Sequence, residues 1–353
     1  YTDSEDGVFL LEKAATNLMT YSEDFSQSTW AKQTSGTASA PIATSNYAIS
    51  PDGTQNADRV VFNLNGGTTS SDFSQLADGV ISSIGDVINS IWIKSNTASN
   101  YNMSFVDPNT NYTSIVVTNE WKRFDVTSTT VSTSSALRLR LRGSESTSDT
   151  ADVSIWGAQV EQGSYASSYI PTQGSIQTRV AETANGSGNS EVFNDSSGVL
   201  FADIAANAND GIKRSISIND GSSANRFILR FGVNDNTIEV VSASNNSAVL
   251  LSSVTVSNTL SSSKVAIKWD SNNYVFYVNG IIETTKNDLI TPLVLNNLDF
   301  NDGNAGFNPF YGKTKELGCY DTALTNAELE TLTSYRTWLS MVNELNLNVI
   351  YNG

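Results

Sequence analysis

The sequence of 353 residues contains no histidine. This absence excludes Ser-His-Asp and Cys-His nucleophiles, histidine general bases and histidine-ligated zinc. The single cysteine, Cys319, cannot form an intramolecular disulfide, and no cysteine spacing typical of a metal site exists. Any catalysis would therefore depend on carboxylates, tyrosine, lysine or arginine.

Basic residues are scarce as well. The chain has 20 Lys and Arg residues against 36 Asp and Glu residues, for a formal net charge of −16. A nucleic-acid backbone and an anionic membrane surface would both be repelled. No segment approaches the run of about 20 apolar residues that a membrane helix requires. We therefore expect neither nucleic-acid binding nor membrane insertion.

Hydrophobic residues make up only 39% of the sequence, while Ser, Thr, Asn and Gly are abundant. This profile is typical of all-β proteins with short strands and polar turns. Strand-like segments run through both halves, and the length favours two domains. The predicted fold class is all-β, with two β-sandwich (jelly-roll) domains and one C-terminal helix.

The helix is predicted over about residues 326–345. Thr325 and Glu328 have the spacing of a capping box. Apolar residues then recur at helical spacing, which favours packing across a sheet. In the alternative interpretation the far end, residues 339–350, serves oligomerisation.

Residues 137–142 read LRLRLR. In a strand, the three leucines would point to one face and Arg138, Arg140 and Arg142 to the other. One interpretation is a half-buried strand with a solvated basic face. The other is an arginine row that faces a groove and binds an anionic sugar or a neighbouring acidic subunit.

Four stretches resemble motifs of known families. The first two are NLMTYSEDFSQSTWAK (17–32) and WGAQVEQGSYASSYIPT (156–172), the latter followed by residues 178–181. They resemble the opening and closing motifs of carbohydrate-binding-like jelly-roll domains in bacteriophage tail and fibre proteins. The other two, which resemble concanavalin A-like, laminin-G-type lectin domains, are KWDSNNYVFYVNG (268–280) and ELGCYDTALTNAELETL (316–332). The expected boundaries are a lead segment at 1–13, a jelly roll at 14–181, a linker at 182–197, a lectin-like sandwich at 198–335 and a helix end with tail at 336–353.

The resemblance implies a non-catalytic phage virion surface or fibre protein that binds host cell-surface glycan. Its expected place is the virion surface or the extracellular space, and its expected partners are host polysaccharide, other virion proteins and further copies of itself, as in a trimer. One alternative is a purely architectural subunit that contacts only other virion proteins. Another is a polysaccharide depolymerase.

Sugar recognition requires exposed aromatic rings with polar neighbours. The candidate sugar-binding residues are Tyr101, Tyr112, Arg138, Arg140, Tyr165 and Tyr169. For Tyr165 and Tyr169, in the exit segment of the first domain, the alternative role is to clamp the chain back onto the sandwich. Trp30 and Trp156 are expected in the core.

An acidic, Asn-rich loop offers oxygen ligands of the type that Ca²⁺ prefers. Its candidate ligands are Asp299, Asp302 and Asn304. The spacing does not match an EF-hand, and such clusters also form ordinary turns. A structural calcium ion is the one cofactor that the sequence suggests.

Overall fold

The computed structural model describes residues 7–78, 85–107, 111–130, 137–271, 273–287, 292, 294–303 and 306–334. They fold into two compact units. The first unit is Ala14–Val180, and the second consists of the described parts of Tyr1–Lys13 and Ala181–Gly353. Each unit has antiparallel sheets around its own hydrophobic core. The predicted all-β fold class is confirmed.

The strands up to residue 180 form the sheets of the first unit, except for β1. They are β1 (Phe9–Leu11), β2 (Ala15–Asn17), β3 (Trp30–Ser35), β4 (Ser39–Ala48), β5 (Ala57–Asn63), β6 (Phe73–Asp78), β7 (Gly85–Ser95), β8 (Tyr101–Val106), β9 (Tyr112–Val117), β10 (Lys122–Thr130), β11 (Arg138–Arg142), β12 (Thr150–Gln162) and β13 (Gln177–Arg179). One sheet has the order β10-β7-β12-β5-β4, a second has the order β3-β6-β11-β8-β9, and β2 pairs with β13.

The second unit is built in the same way. Its further strands are β14 (Ser197–Ala206), β15 (Arg214–Asn219), β16 (Arg226–Phe231), β17 (Thr237–Ser244), β18 (Ser247–Thr255), β19 (Ser263–Asp270), β20 (Asn273–Val278), β21 (Ile281–Lys286), β22 (Asn297–Asp299) and β23 (Gly312–Tyr320). Its sheets have the orders β1-β23-β14-β19-β20-β21 and β18-β17-β16-β15-β22.

Alternating hydrophobicity places the strands as expected. Leu137, Leu139 and Leu141 are fully buried in the core of the first unit, together with Trp30. Trp156 is also buried. The predictions of inward-facing leucines and of buried tryptophans are confirmed. The leucines are buried together because alternate side chains of a strand point to the same face.

The hairpin predicted from residues 265–280 is present. β19 and β20 pair with Trp269 opposite Tyr274, and both of these side chains are buried. The next turn consists of Asn279 and Gly280, both with positive φ, at 49° and 84°. Positive φ at both central residues matches the twist of the flanking strands, and Asn-Gly adopts this conformation at low cost.

Two segments expected to lie outside the domains are hydrogen-bonded within the second unit. β1 lies in the expected lead segment and pairs with β23. Ser187, in the expected linker, exchanges backbone hydrogen bonds with Leu298 of β22, at 3.1 and 2.7 Å. In the polar segment around Ser187, backbone pairing of this kind leaves no hydrophobic pattern in the sequence.

The helix α1 (Asn326–Thr333) is shorter than predicted. Its capping box is confirmed, because the Thr325 side chain accepts from the Glu328 N–H while the Glu328 carboxylate accepts from the Thr325 N–H. The helix ends where Ser334 adopts an extended conformation, so the predicted continuous run to residue 345 is wrong at this position. Residues 335–353 lie outside the described residues. Leu329 is fully buried and packs the helix against a small core cluster of the second unit.

We expect Thr325→Ala to lower the free energy of unfolding of the second unit by about 1 kcal/mol, because it leaves helix N–H groups without their acceptor. Urea unfolding would measure the change. Thr322→Ala, at an exposed threonine just before the cap, is the matched control and should leave the stability within about 0.5 kcal/mol. An equal loss in both variants would contradict a capping role.

Candidate functional site

Three of the predicted sugar-binding residues lie on one face of the sheet of order β3-β6-β11-β8-β9. Arg138 pairs with Val106, and Val106 pairs with Tyr112. Residues paired directly across strands project from the same face, and so does Arg140, two residues further along. The Tyr112 side chain is 51% exposed. Burial lowers the pKa of Arg138, and the charge of Arg140 lowers it further.

The Arg140 guanidinium is engaged by a buried carboxylate. Its Nε lies 2.8 Å from Oε2 of Glu145 and its Nη2 lies 2.5 Å from Oε1, and both side chains are less than a tenth exposed. A bidentate pair uses the donors that would otherwise bind an anionic ligand. Arg142 donates to the Ser70 carbonyl at 2.6 Å. The interpretation as a solvated basic face is therefore wrong for Arg140, since the next loop supplies its partner.

The other predicted residues lie elsewhere. Tyr101 is buried in the core, and its hydroxyl lies 2.9 Å from the Thr97 hydroxyl. Tyr165 is half-buried in the exit segment. Tyr169 packs its ring on Trp156, with 4.5 Å between the ring centroids. The sugar-contacting role of all six residues stays a prediction.

The Tyr169 hydroxyl joins the exit segment of the first unit, residues 163–177, to its entry segment, residues 17–25. It lies 2.5 Å from the Ser22 hydroxyl and donates to Glu23 Oε1 at 2.9 Å. Burial raises the pKa of Tyr169, and the nearby Glu23 carboxylate also raises it, so the phenol stays protonated and remains a donor. These are the contacts expected of the clamp interpretation.

Two of the three predicted calcium ligands lie among the described residues, and both have N–H partners. Asp299 Oδ1 accepts from the Gly186 N–H at 2.6 Å, and Asp302 Oδ1 lies 3.6 Å from Arg226 Nη1. Asn304 lies outside the described residues. Over the part of the chain that the structure describes, no group of three or more His, Cys, Asp or Glu side chains is arranged to hold a metal ion. Calcium at this loop stays a prediction.

A polar cleft of about 570 Å³ lies in the first unit. Four stretches of the described chain line it, and none of the described lining side chains is basic. The lining residues are the carboxylates Glu23, Asp24 and Asp58, the amides Asn46, Asn56, Gln173 and Gln177, and Tyr21, Ser45, Pro171 and Thr172.

The entry and exit segments of the first unit form one wall of the cleft. Tyr21 and Gln173 make an isolated antiparallel bridge. Behind them, the fully buried Asn17 donates to the carbonyls of Ala158 and Ile170, at 3.1 and 2.8 Å. Each amide hydrogen bond joins residues more than 140 positions apart, so the two sequence motifs that bracket the domain meet at this site.

The opposite wall comes from β4 and the start of β5. The pairing of these strands shifts between Thr44 and Ala48, and Asn46 within the shift has a φ of 53°. Such an irregularity turns the strand away from regular pairing. It directs the Asn46 N–H to Asp58 Oδ1 at 2.9 Å, while Phe25 N–H donates to Oδ2 at 2.8 Å.

The carboxylates of the cleft differ in their electrostatics. Burial raises the pKa of Asp58 to about 6, although its two backbone hydrogen bonds oppose the shift. Burial also acts to raise the pKa of Asp24, but hydrogen bonds from Ser26, Gln27 and Ser45 outweigh it and lower the pKa. Asp24 is therefore ionised at neutral pH, with partners that hold it in place.

None of these three carboxylates is among the site residues predicted from the sequence. Glu23 and Asp24 are the acidic pair of YSEDF in the motif at 17–32. Asp58 is the second residue of β5. The available signal was an acidic pair next to an aromatic residue in one motif, together with the amide-rich exit segment of the other.

Comparison with known proteins gives one family match, within the second unit. Residues 189–330 match the family model of the Concanavalin A-like lectin/glucanases superfamily. This match agrees with the concanavalin A-like resemblance of the motifs at 268–280 and 316–332. No curated protein matches the chain. Among the described residues, no helix is both long and apolar enough to cross a membrane.

Several solved structures are similar. The Ruminococcus gnavus IT-sialidase CBM40 bound to alpha2,3 sialyllactose is 17% identical over 43% of this chain and 97% of that chain, with a TM-score of 0.35. The carbohydrate binding module CBM66 from Bacillus subtilis is 10% identical over 41% of this chain and 86% of its own, with a TM-score of 0.29. Domains LG4-5 of the mouse laminin alpha1 chain are 9% identical over 75% and 91%, with a TM-score of 0.30. Similarities at this level carry no conclusion about the ligand.

Proposed function

We propose that this protein binds a cell-surface glycan without catalysing a reaction, and that the polar cleft of the first unit is a glycan site. The observation that carries the proposal is the convergence of four separate stretches on one cleft of about 570 Å³ lined by carboxylates and amides. This volume is within the range of about 300–1,000 Å³ typical of ligand sites.

The lining suits the chemistry of a sugar. Hydroxyl groups donate to carboxylates and both donate to and accept from amides, and Gln173 and Gln177 present their exposed amides at the mouth. Tyr21 adds an aromatic ring with a polar end. The walls are held by hydrogen bonds that exist without ligand, which lowers the entropy lost on binding.

Asp58 supports a binding role over a catalytic one. Its side chain is almost fully buried, and each oxygen accepts a backbone N–H. A general acid in glycoside hydrolysis must reach the glycosidic oxygen with a free proton. In this geometry Asp58 instead fixes the entry segment against β4.

We place the protein on the outside of a phage virion, as a surface or fibre component facing host polysaccharide and other virion proteins. The resemblance of residues 17–32 and 156–172 to motifs of phage tail and fibre proteins supports this setting, and the lectin-like second unit is consistent with it. Assembly into a homo-oligomer such as a trimer belongs to the proposal and is measurable by light scattering of the full chain.

A glycan array, followed by calorimetry on the best glycan, tests the proposal. We expect Gln177→Ala to weaken binding about fivefold, since it removes one hydrogen-bonding group at the cleft. Asn100→Ala, at an exposed amide outside the cleft, should bind like the unmodified chain.

The same array locates the site. If Tyr112→Ala removes binding while Gln177→Ala does not, the glycan sits on the predicted face of the β8–β11 sheet instead of in the cleft. Binding to no glycan at all would contradict the proposal and favour the architectural alternative. Release of reducing ends from a bound polysaccharide would contradict the non-catalytic role and favour a depolymerase.

A further inference from the structure

We propose that the cleft of the first unit selects saccharides that carry a positively charged amine, such as a hexosamine without its acetyl group. This inference rests on the glycan binding proposed above and specifies the class of ligand. It is drawn from the charge of the lining, from unpartnered buried atoms at the cleft and from the balance of hydrogen-bond donors and acceptors.

The charge of the lining is one-sided. Among the residues that the structure describes, three carboxylates and no lysine or arginine line the cleft. Lys32 offsets part of this charge, since it interacts electrostatically with Asp24 and Asp58. Its amine is not part of the lining and donates to the carbonyls of Ser26 and Gln27, at 3.1 Å each. The field in the cleft therefore repels uronic and sialic acids and attracts an ammonium group.

Two buried polar atoms at the cleft have no partner among the described residues. The Thr172 hydroxyl belongs to a side chain that is only 5% exposed, and it makes no hydrogen bond. Asn56 donates its amide N–H to Glu23 Oε2 at 3.0 Å, and its Oδ1 accepts no hydrogen bond. Both residues line the cleft. A buried polar atom without a hydrogen bond is costly, so both atoms point to a ligand that supplies donors.

The cleft offers an ammonium group two oxygen atoms without a donor, Asn56 Oδ1 and Thr172 Oγ1, beside two carboxylates. The Glu23 and Asp24 oxygens already accept hydrogen bonds from neighbouring side chains, so they act on the ligand mainly through their charge. An ammonium group provides three donors and no acceptor, whereas an acetamido group in its place adds an acceptor and a methyl group. An amine therefore matches both the charge and the hydrogen-bonding pattern of the cleft better than its acetylated counterpart.

The test uses a matched pair of ligands with one backbone: the β-1,4-linked glucosamine tetramer and its fully N-acetylated counterpart. Calorimetry with the full chain at pH 7 and low salt measures both affinities. We expect the amine form to bind at least about tenfold more tightly, and we expect this preference to fall as the concentration of sodium chloride is raised.

Asp24→Asn, which keeps the shape of the side chain, should reduce the preference about threefold to tenfold. Glu23→Gln is a second variant of this kind, and Glu120→Gln, at an exposed carboxylate outside the cleft, is the control.

The outcomes separate this inference from the proposed function. Equal or tighter binding of the acetylated tetramer would overturn the preference for amines and leave glycan binding intact. The preference for amines would also be overturned if the chain binds neither tetramer but binds another glycan of the array, and Gln177→Ala weakens that binding. A chain that binds no glycan would overturn both proposals. A preference that survives unchanged in both Asp24→Asn and Glu23→Gln would overturn the assignment to this cleft.

Discussion

Glu145→Ala is expected to destabilise the first unit by about 3–5 kcal/mol, the largest loss that we expect from a single polar substitution in this protein. The substitution leaves the Arg140 guanidinium, 8% exposed, without the carboxylate that it contacts through two hydrogen bonds. An uncompensated buried charge costs far more than the net contribution of the intact pair. Chemical unfolding followed by intrinsic fluorescence measures the loss.

A second substitution separates the cost of the unpaired charge from the loss of packing. Adding Arg140→Met to Glu145→Ala should recover much of the lost stability, because it removes the buried charge that Glu145→Ala leaves unpaired. Glu120→Ala, at an exposed carboxylate, should change the stability by less than about 0.5 kcal/mol. Unchanged stability in Glu145→Ala would show that Arg140 reaches water or another partner, and would restore the arginine row as a site for anionic ligands.

The second large effect concerns pH. The Asp58 carboxyl has a pKa of about 6 in the folded protein, against an ordinary value of 3.8. Between these values the folded state holds a proton that the unfolded state releases, so the contribution of Asp58 to stability falls as the pH rises through this window. A shift of about two units corresponds to about 3 kcal/mol. Asp24 raises this pKa and Lys32 lowers it, and the backbone N–H groups of Phe25 and Asn46 lower it as well.

The measurement compares urea unfolding at pH 4 and pH 7 for the unmodified chain and for Asp58→Asn. Other groups titrate in both proteins, so the difference between the two pH dependences isolates Asp58. We expect the unmodified chain to lose about 2 kcal/mol more than the variant between the two pH values, which is less than the full effect because the unfolded-state carboxyl is already partly ionised at pH 4. Equal pH dependence in both would mean that Asp58 is ionised at its ordinary pKa, in a solvated setting that its burial argues against.

The sequence alone determined the local architecture of this protein. The alternation of LRLRLR placed three leucines in the core, Asn279-Gly280 specified a tight hairpin turn, and Thr325 with Glu328 specified the start of α1. The motif at 268–280 also identified the lectin-like domain. Each of these features depends on residues within about a dozen positions of one another, and their spacing is visible in the sequence.

The tertiary structure alone decided where polar side chains meet. The cleft joins residues 21–24 to 171–177, and an irregularity in β4 directs the Asn46 N–H to Asp58. Glu145 follows Arg140 closely in the sequence, but the path of the loop between them decides that the two side chains meet. An arginine on the polar face of a strand gives the same sequence pattern whether water or a buried carboxylate faces it. Likewise, an acidic pair in a loop gives the same pattern whether it is solvated or lines a site. Polar contacts between distant segments leave no periodic pattern, so only the packing of the sheets could bring Glu23, Asp24 and Asp58 together.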